Sequence, residues 1–255
     1  DVLKRHVICA AAAALLGSAA SLAHAAPEEI QVYEDDTVKP GHFGLDLHNI
    51  YVASGARTAD YPGGQVPNHD YRFTPEFYYG LAPGLEAGFY VLSQLDSRGI
   101  YTVGGEKVRL KYVPPRPESQ PWYVGLNFEI GRVSHRYDPN PWNAELKGIA
   151  GWKAGKWDFA LNANVDWTVS GPHPAPVSLE LTGKAGYAVT KGLSLGVESY
   201  NTLGDHRNFG RFDQNEQRLF AVADVDVLGW NLDLGVGRGW TKVTDGWVAK
   251  AVIGV

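Results

Sequence analysis

Six of the eight tryptophans fall in pairs ten residues apart: Trp142 and Trp152, Trp157 and Trp167, Trp230 and Trp240. Side chains on a strand alternate with period two, so an even spacing puts both members of a pair on one face. Ten residues at about 3.3 Å each span roughly 33 Å, and a strand tilted by about 40° projects this onto roughly 25 Å of membrane normal. That is the height of the apolar band on an outer-membrane barrel. Tryptophan favours the headgroup level, where its ring is half buried and its N–H stays wet. The three pairs, with Trp122 and Trp247 at the ends of two further segments, read as the two rims of an aromatic membrane girdle. A soluble β-sandwich would instead place its large aromatics near mid-strand.

The first 25 residues have the make-up of a secretory signal peptide. Lys4 and Arg5 precede an apolar run from His6 to Leu16, and Ala23-His24-Ala25 supplies a small-x-small cleavage site. The organisation expected is therefore a signal over 1–25, a periplasmic N-terminal segment over 26–40 and a barrel over 41–255. The acidic stretch Glu29 to Asp36 either dangles in the periplasm or tucks into the barrel mouth as a plug. The single cysteine, Cys9, lies in the signal, which leaves the mature chain without disulfides, thiol nucleophiles or thiolate metal sites. The formal charge is −5, and −6 without the signal, whose Asp1, Lys4 and Arg5 carry +1. With no basic cluster, nothing supports nucleic-acid binding.

Alternation of apolar and polar residues resolves into twelve strands, near 42–52, 71–80, 85–93, 101–113, 122–131, 142–152, 157–167, 177–187, 193–201, 218–226, 230–236 and 247–253. Links two, six, eight and ten are tight turns, and the longest loops, about 53–70 and 202–216, are odd-numbered. This predicts an all-β chain: a closed transmembrane antiparallel β-barrel of about twelve strands, both termini periplasmic. Gly104-Gly105 interrupts the fourth segment and puts Glu106 on the apolar face, which a bulge would explain. Outer-membrane barrels commonly end on an aromatic residue. This chain stops at Val255, so either a short tail is missing or the end is atypical.

Parity assigns the lumen. The candidate pore-lining acids are Asp46, Glu76, Glu86, Glu129, Glu145, Asp158, Asp166, Glu180, Glu198, Asp224 and Asp233. The bases are Arg72, Lys107, Arg109, Lys111, Lys147, Lys184, Arg218 and Lys250, with His48 beside Asp46. Inward charges of both signs require water or mutual pairing. Lys107, Arg109 and Lys111 form a one-sided basic ladder, read either as a charge-selective constriction facing acids across a pore or as cross-strand ion pairs that fill the lumen. Inward Tyr90, Tyr123 and Tyr200 offer stacking surfaces or fill space. The loop histidines His69, His135, His173 and His206 lack metal-site spacing. No catalytic residue, metal ligand or cofactor is indicated, and the chain is not expected to be an enzyme.

The segments Glu29-Ile30-Gln31-Val32-Tyr33 and Gly41-His42-Phe43-Gly44-Leu45-Asp46-Leu47-His48 resemble a set of proteobacterial outer-membrane barrels. So do Thr74-Pro75-Glu76, Tyr79-Gly80-Leu81 and Glu86-Ala87-Gly88. These barrels are the transporters grouped with the meta-pathway phenol-degradation family. The likeness covers the first third of the chain, and beyond it only the strand rhythm. It implies a barrel in the outer membrane of a Gram-negative bacterium and solute uptake. The expectation is thus a narrow, porin-like channel or uptake pore for small solutes. The alternatives are a closed structural or loop-binding barrel and, further off, a lipid-modifying enzyme. Its partners would be outer-membrane lipid and lipopolysaccharide, a small solute, and the barrel-assembly machinery during insertion.

Overall fold

The computed structural model describes residues 29–255, so the predicted signal lies outside the described residues. Twelve strands follow one another in sequence order: β1 (Phe43–Ser54), β2 (Tyr71–Ala82), β3 (Leu85–Leu95), β4 (Tyr101–Tyr112), β5 (Trp122–Val133), β6 (Trp142–Ala154), β7 (Trp157–Ser170), β8 (Ser178–Thr190), β9 (Leu193–Gly204), β10 (Gln217–Val227), β11 (Trp230–Gly239) and β12 (Trp247–Gly254). Each pairs antiparallel with its neighbours, and β12 closes on β1, with Asp46 opposite Gly254 and Val52 opposite Val248. Closure leaves no unpaired sheet edge, which is what allows a β-structure to cross a bilayer.

The register follows from the chemistry of the two faces. A one-residue slip would turn every Leu, Val and Phe of the outer face into the interior. The outer face carries Leu110, Leu126, Leu146, Leu161, Leu195 and Val236, all exposed. The tryptophans stand at both ends of this apolar belt. Trp122 and Trp152 are register partners at one rim, which Trp157 and Trp230 share, while Trp142, Trp167, Trp240 and Trp247 lie toward the other.

One rim is made of tight turns, apart from the longer link over residues 113–121 between β4 and β5. Leu228-Gly229 joins β10 to β11 with both residues at positive φ, 52° and 87°, as a two-residue type I′ hairpin requires. A non-glycine residue in that region is uncommon, and Leu228 is 96 % exposed, so no packing compels it. The opposite rim carries the longer connections. Here β1 runs on to Ser54 and β9 to Gly204, beyond the alternation read from sequence, so the two long loops contract to 55–70 and 205–216. The register shift between β3 and β4 falls where Leu92 pairs with Gly105 and Ser93 with Val103, which is a bulge at the glycine pair. Glu106 then faces outward opposite Arg132.

Residues 29–40 do not hang below the barrel as a free periplasmic segment. They cross its tight-turn rim and run up inside. At the crossing, Gly41 N–H donates to Gly80 O at 2.8 Å, and a Cβ on Gly80 would come within 2.3 Å of the Lys39 carbonyl oxygen. Only glycine allows this approach without a shift. Inside, Ile30 and Val32 pack with Ile50, Val52, Tyr200, Phe220, Val222 and Val248, and Tyr33 packs with Tyr123 and Ile149. Burial of such side chains contributes roughly 1.5–3 kcal/mol each.

Candidate functional site: a lumen closed by its own N-terminal segment

The segment inside the barrel is extended and carries backbone polar groups that need partners. Asn162 on β7 supplies two. Its Oδ1 accepts from the Tyr33 N–H at 2.7 Å and its Nδ2 donates to the Tyr33 carbonyl at 2.9 Å, a two-point clamp on one residue. The Ile30 carbonyl accepts from Lys250 at 3.2 Å, the Asp36 carbonyl from Lys111 at 2.7 Å, and the Val38 N–H donates to Glu86 at 2.8 Å.

Tyr33 is the centre of the arrangement. Its hydroxyl lies 2.8 Å from that of Tyr90 and donates to Glu129 at 3.2 Å. Lys147 stands 4.0 Å from its ring centroid, Lys111 5.0 Å and Arg109 5.8 Å. Two members of the basic ladder therefore face the plug. Arg109 also contacts Glu76 and forms an ion pair with Glu86 at 2.7 Å, which completes a buried three-residue ion network.

Every predicted pore-lining side chain turns inward, and most are paired. His48 meets Glu76 at 3.1 Å, Arg72 meets Asp70 at 2.9 Å, and Asp46 accepts from the Tyr78 hydroxyl at 3.2 Å. Lys184 bridges Glu34 of the plug at 2.7 Å and Asp224 at 3.0 Å, while Lys250 bridges Glu198 and Asp233 at 2.6 and 2.7 Å. Asp158 pairs with Lys153 at 3.2 Å, Glu145 with Lys147 at 3.2 Å, and Arg218 with Glu216 at 2.9 Å. Glu180 accepts from Asn164 at 3.1 Å. Lys107 and Asp166 line a cavity of about 250 Å³ between the plug and the long-loop rim.

The inward tyrosines fill space around the plug. Tyr123 packs on Tyr33, and Tyr200 donates to Glu198 at 2.7 Å while meeting Phe220 edge-on at 5.6 Å. The loop histidines stay apart: His69 stacks on Tyr51, and His135 bonds the Pro62 carbonyl. Among the described residues, the ligand atoms close enough to hold an ion belong instead to Glu29, His48 and Glu76. Arg109 already neutralises Glu76 there, so the geometry is that of an ion-pair network.

Sequence reasoning did not identify Asn162 as a clamp, nor the apolar patch formed by Ile50, Val52, Phe220, Val222 and Val248. The signal was present, since these apolar residues share parity with the luminal charges. An aqueous lumen gives no reason for such a patch, and a covering segment does.

The plug is latched at its entry. Asp35 bonds Arg116 and Lys153, each at 2.6 Å. Burial pushes the Asp35 carboxyl up, but hydrogen bonds from Lys153 and Arg116 outweigh this and hold it below the usual aspartate value of 3.8. A carboxylate lowered in the folded state contributes stability above its unfolded pKa, and loses it only as pH falls through the folded one. Acidification to about pH 5 should therefore leave the latch, and the amide-exchange protection factors of the segment, unchanged. Asp35→Asn should lower the amide protection of residues 30–38 at pH 7, read by deuterium exchange.

No protein-family model and no curated protein matches this chain. Solved structures do. An outer-membrane channel of the COG4313 group from Pseudomonas putida F1 superposes with a TM-score of 0.60 at 14% identity, over 89% of this chain and 99% of that one. The NanC porin gives 0.54 at 15% identity, over 82% and 97%. The KdgM porin, in complex with disordered oligogalacturonate, gives 0.54 at 11% identity, over 83% and 97%. At these identities the likeness establishes the fold, which is a closed transmembrane antiparallel β-barrel of the outer-membrane type.

Proposed function

We propose that this chain is an outer-membrane channel for small solutes, held closed by its own N-terminal segment. The observation that carries the reading is the kind of contact the segment makes. Ile30 and Val32 seat on a dry apolar patch, but Tyr33, Glu34, Asp35 and the Asp36 carbonyl meet the wall through ion pairs and hydrogen bonds that water can replace. Twelve strands also enclose more than the side-chain-filled lumen of an eight-stranded barrel.

In this reading the tight-turn rim and both chain termini face the periplasm, the first 25 residues are removed on export, and the long loops face outward. The motifs around Gly41–His48 and Thr74–Glu76 support kinship with the meta-pathway phenol-degradation barrels. The chain is a transporter and not a lipid-modifying enzyme, because its charged groups converge on the lumen. An acid-rich cavity also disfavours anionic solutes of the kind bound in the KdgM structure.

The extensive pairing of luminal charges favours a second reading, a closed barrel whose loops bind. Planar-bilayer recording of the refolded chain under a salt gradient separates the two. Current steps with a reversal potential displaced toward cation selectivity are expected. An inserted barrel silent at all voltages, with the segment present or deleted, would eliminate the channel.

A further inference from the structure

The lipid-facing stripe of β11 runs Trp230, Leu232, Leu234, Val236, Arg238, Trp240. It places a guanidinium two residues short of the tryptophan at the long-loop rim, roughly 7 Å back along the strand. Arg238 is exposed, its neighbours at the same height are Leu219 of β10 and Trp247 of β12, and it stands over the Trp247 ring at 5.4 Å. Among the described residues its side chain forms no ion pair and no hydrogen bond. The nearby Asp245 turns inward, 6% exposed and 3.8 Å from Arg218. A charge on the lipid face costs free energy that grows with depth, and an anion at headgroup level offsets it. Arg132, on the lipid face of β5, differs in having Glu106 as its register partner.

The surface below Arg238 has the shape of a track for a hydrocarbon chain. On β12, Ala249 and Ala251 follow Trp247 on the outer face, and the register sets them between Val236 and Leu234 of β11 on one side and Tyr51 and Asn49 of β1 on the other. Two alanines between larger side chains leave a shallow lane that descends from the guanidinium into the belt. The Asn49 amide does not interrupt it, since it donates to the carbonyls of Leu47 and Ala251 at 2.8 and 3.1 Å and accepts from the Tyr71 hydroxyl at 2.6 Å. At the head of the far wall the Tyr51 hydroxyl lies 3.0 Å from Nδ1 of the exposed His69. Polar groups thus flank the top of the lane on both sides, and hydrocarbon lines the rest.

We infer that this outer face of β11, β12 and β1 holds a phosphorylated glycolipid of the outer leaflet, with a phosphate monoester on the Arg238 guanidinium and an acyl chain laid over Ala249 and Ala251. The planar fork of arginine matches two phosphate oxygens at once, and the Trp247 ring beneath it keeps the fork at headgroup level. The choice of leaflet rests on the proposed orientation, in which the long-loop rim faces outward. The binding does not depend on whether the lumen conducts.

Native mass spectrometry of the refolded chain, released from detergent micelles, reads lipid retention directly. The probes are diphosphoryl lipid A, the same lipid stripped of its phosphates, phosphatidylglycerol and inorganic phosphate. Diphosphoryl lipid A should be retained and the other three should not. Arg238→Gln should weaken its retention by about tenfold or more, the range for one hydrogen bond to a charged group. Arg238→Lys should recover part of the loss, because it keeps the charge without the fork. Arg132→Gln should leave retention unchanged. Arg238 faces lipid and touches the Trp247 ring, so these variants should fold, as heat-dependent migration would verify. Equal retention of the phosphate-free lipid, indifference to Arg238→Gln, or an equal loss in Arg132→Gln would overturn the assignment. Phosphatidylglycerol held as well as lipid A would overturn the choice of leaflet, and tight binding of inorganic phosphate alone would reveal a soluble-anion site instead. Lipid retention through Arg238 by a barrel that passes no current would leave the site standing and reject the channel. A conducting barrel whose lipid retention ignores Arg238 would do the reverse.

Discussion

Deletion of residues 29–36 should raise the single-channel conductance by on the order of tenfold, because the lumen of a twelve-stranded barrel is wide enough for water once its filling is removed. The segment supplies Ile30, Val32 and Tyr33 to the interior, each no more than 4% exposed, so their loss empties the middle of the barrel. The wall should survive. Lys184, Lys250, Lys111 and Lys153 lose plug partners, but they gain water in the same step, and removal of a partner is severe only when the charge left behind stays dry. The apolar patch of Phe220, Val222 and Val248 becomes wetted and lowers stability without opening the strand ladder. A point variant serves as control. Asn162→Leu removes both hydrogen bonds to the Tyr33 backbone and keeps every charge pair, so it should give brief openings of the full size seen in the deletion. Unchanged conductance in a deletion variant that still migrates as a folded barrel would show that the segment does not close the path.

The barrel was legible in the sequence because its two faces obey opposite chemistries. Lipid demands apolar residues at every second position along each strand, and the tryptophan pairs give the height of the belt independently of that alternation. Luminal parity was legible for the same reason. The plug was harder to read, since Glu29 to Asp36 forms no ladder and has no period. What fixes its place is a match between Ile30 and Val32 and an apolar patch built from three strands, β1, β10 and β12, far apart in sequence. No local pattern carries a contact such as Asn162 with Tyr33, which lie 129 residues apart. The basic ladder illustrates the limit well. Its spacing established that Lys107, Arg109 and Lys111 share a face, but not that Arg109 and Lys111 would meet Tyr33 rather than an open pore.

Arg109→Met should destabilise the barrel by about 3–5 kcal/mol, the range for removal of one partner from a buried ion network. The guanidinium is 5% exposed, and the carboxylates it serves, Glu76 and Glu86, are 2% and 3% exposed, so neither can be rehydrated while the plug stays in place. His48 remains beside Glu76 and softens the loss on that side, while the Val38 N–H still donates to Glu86. Equilibrium unfolding in urea, followed by tryptophan fluorescence in lipid vesicles, would read the change. The triple variant Arg109→Met, Glu76→Gln, Glu86→Gln should recover much of the loss, since it removes the stranded charges along with their partner. The same pair of variants decides what the basic ladder does. A selectivity filter would move the reversal potential in Arg109→Met whether or not the acids were neutralised. A structural network that seats the plug predicts the opposite: the reversal potential of the open state stays where the acid-rich vestibule sets it, and the frequency of opening rises as stability falls. The distances favour the second outcome, because Arg109 reaches Glu76, Glu86 and the Tyr33 ring at once, and a group committed to three neighbours is poorly placed to meet a passing ion.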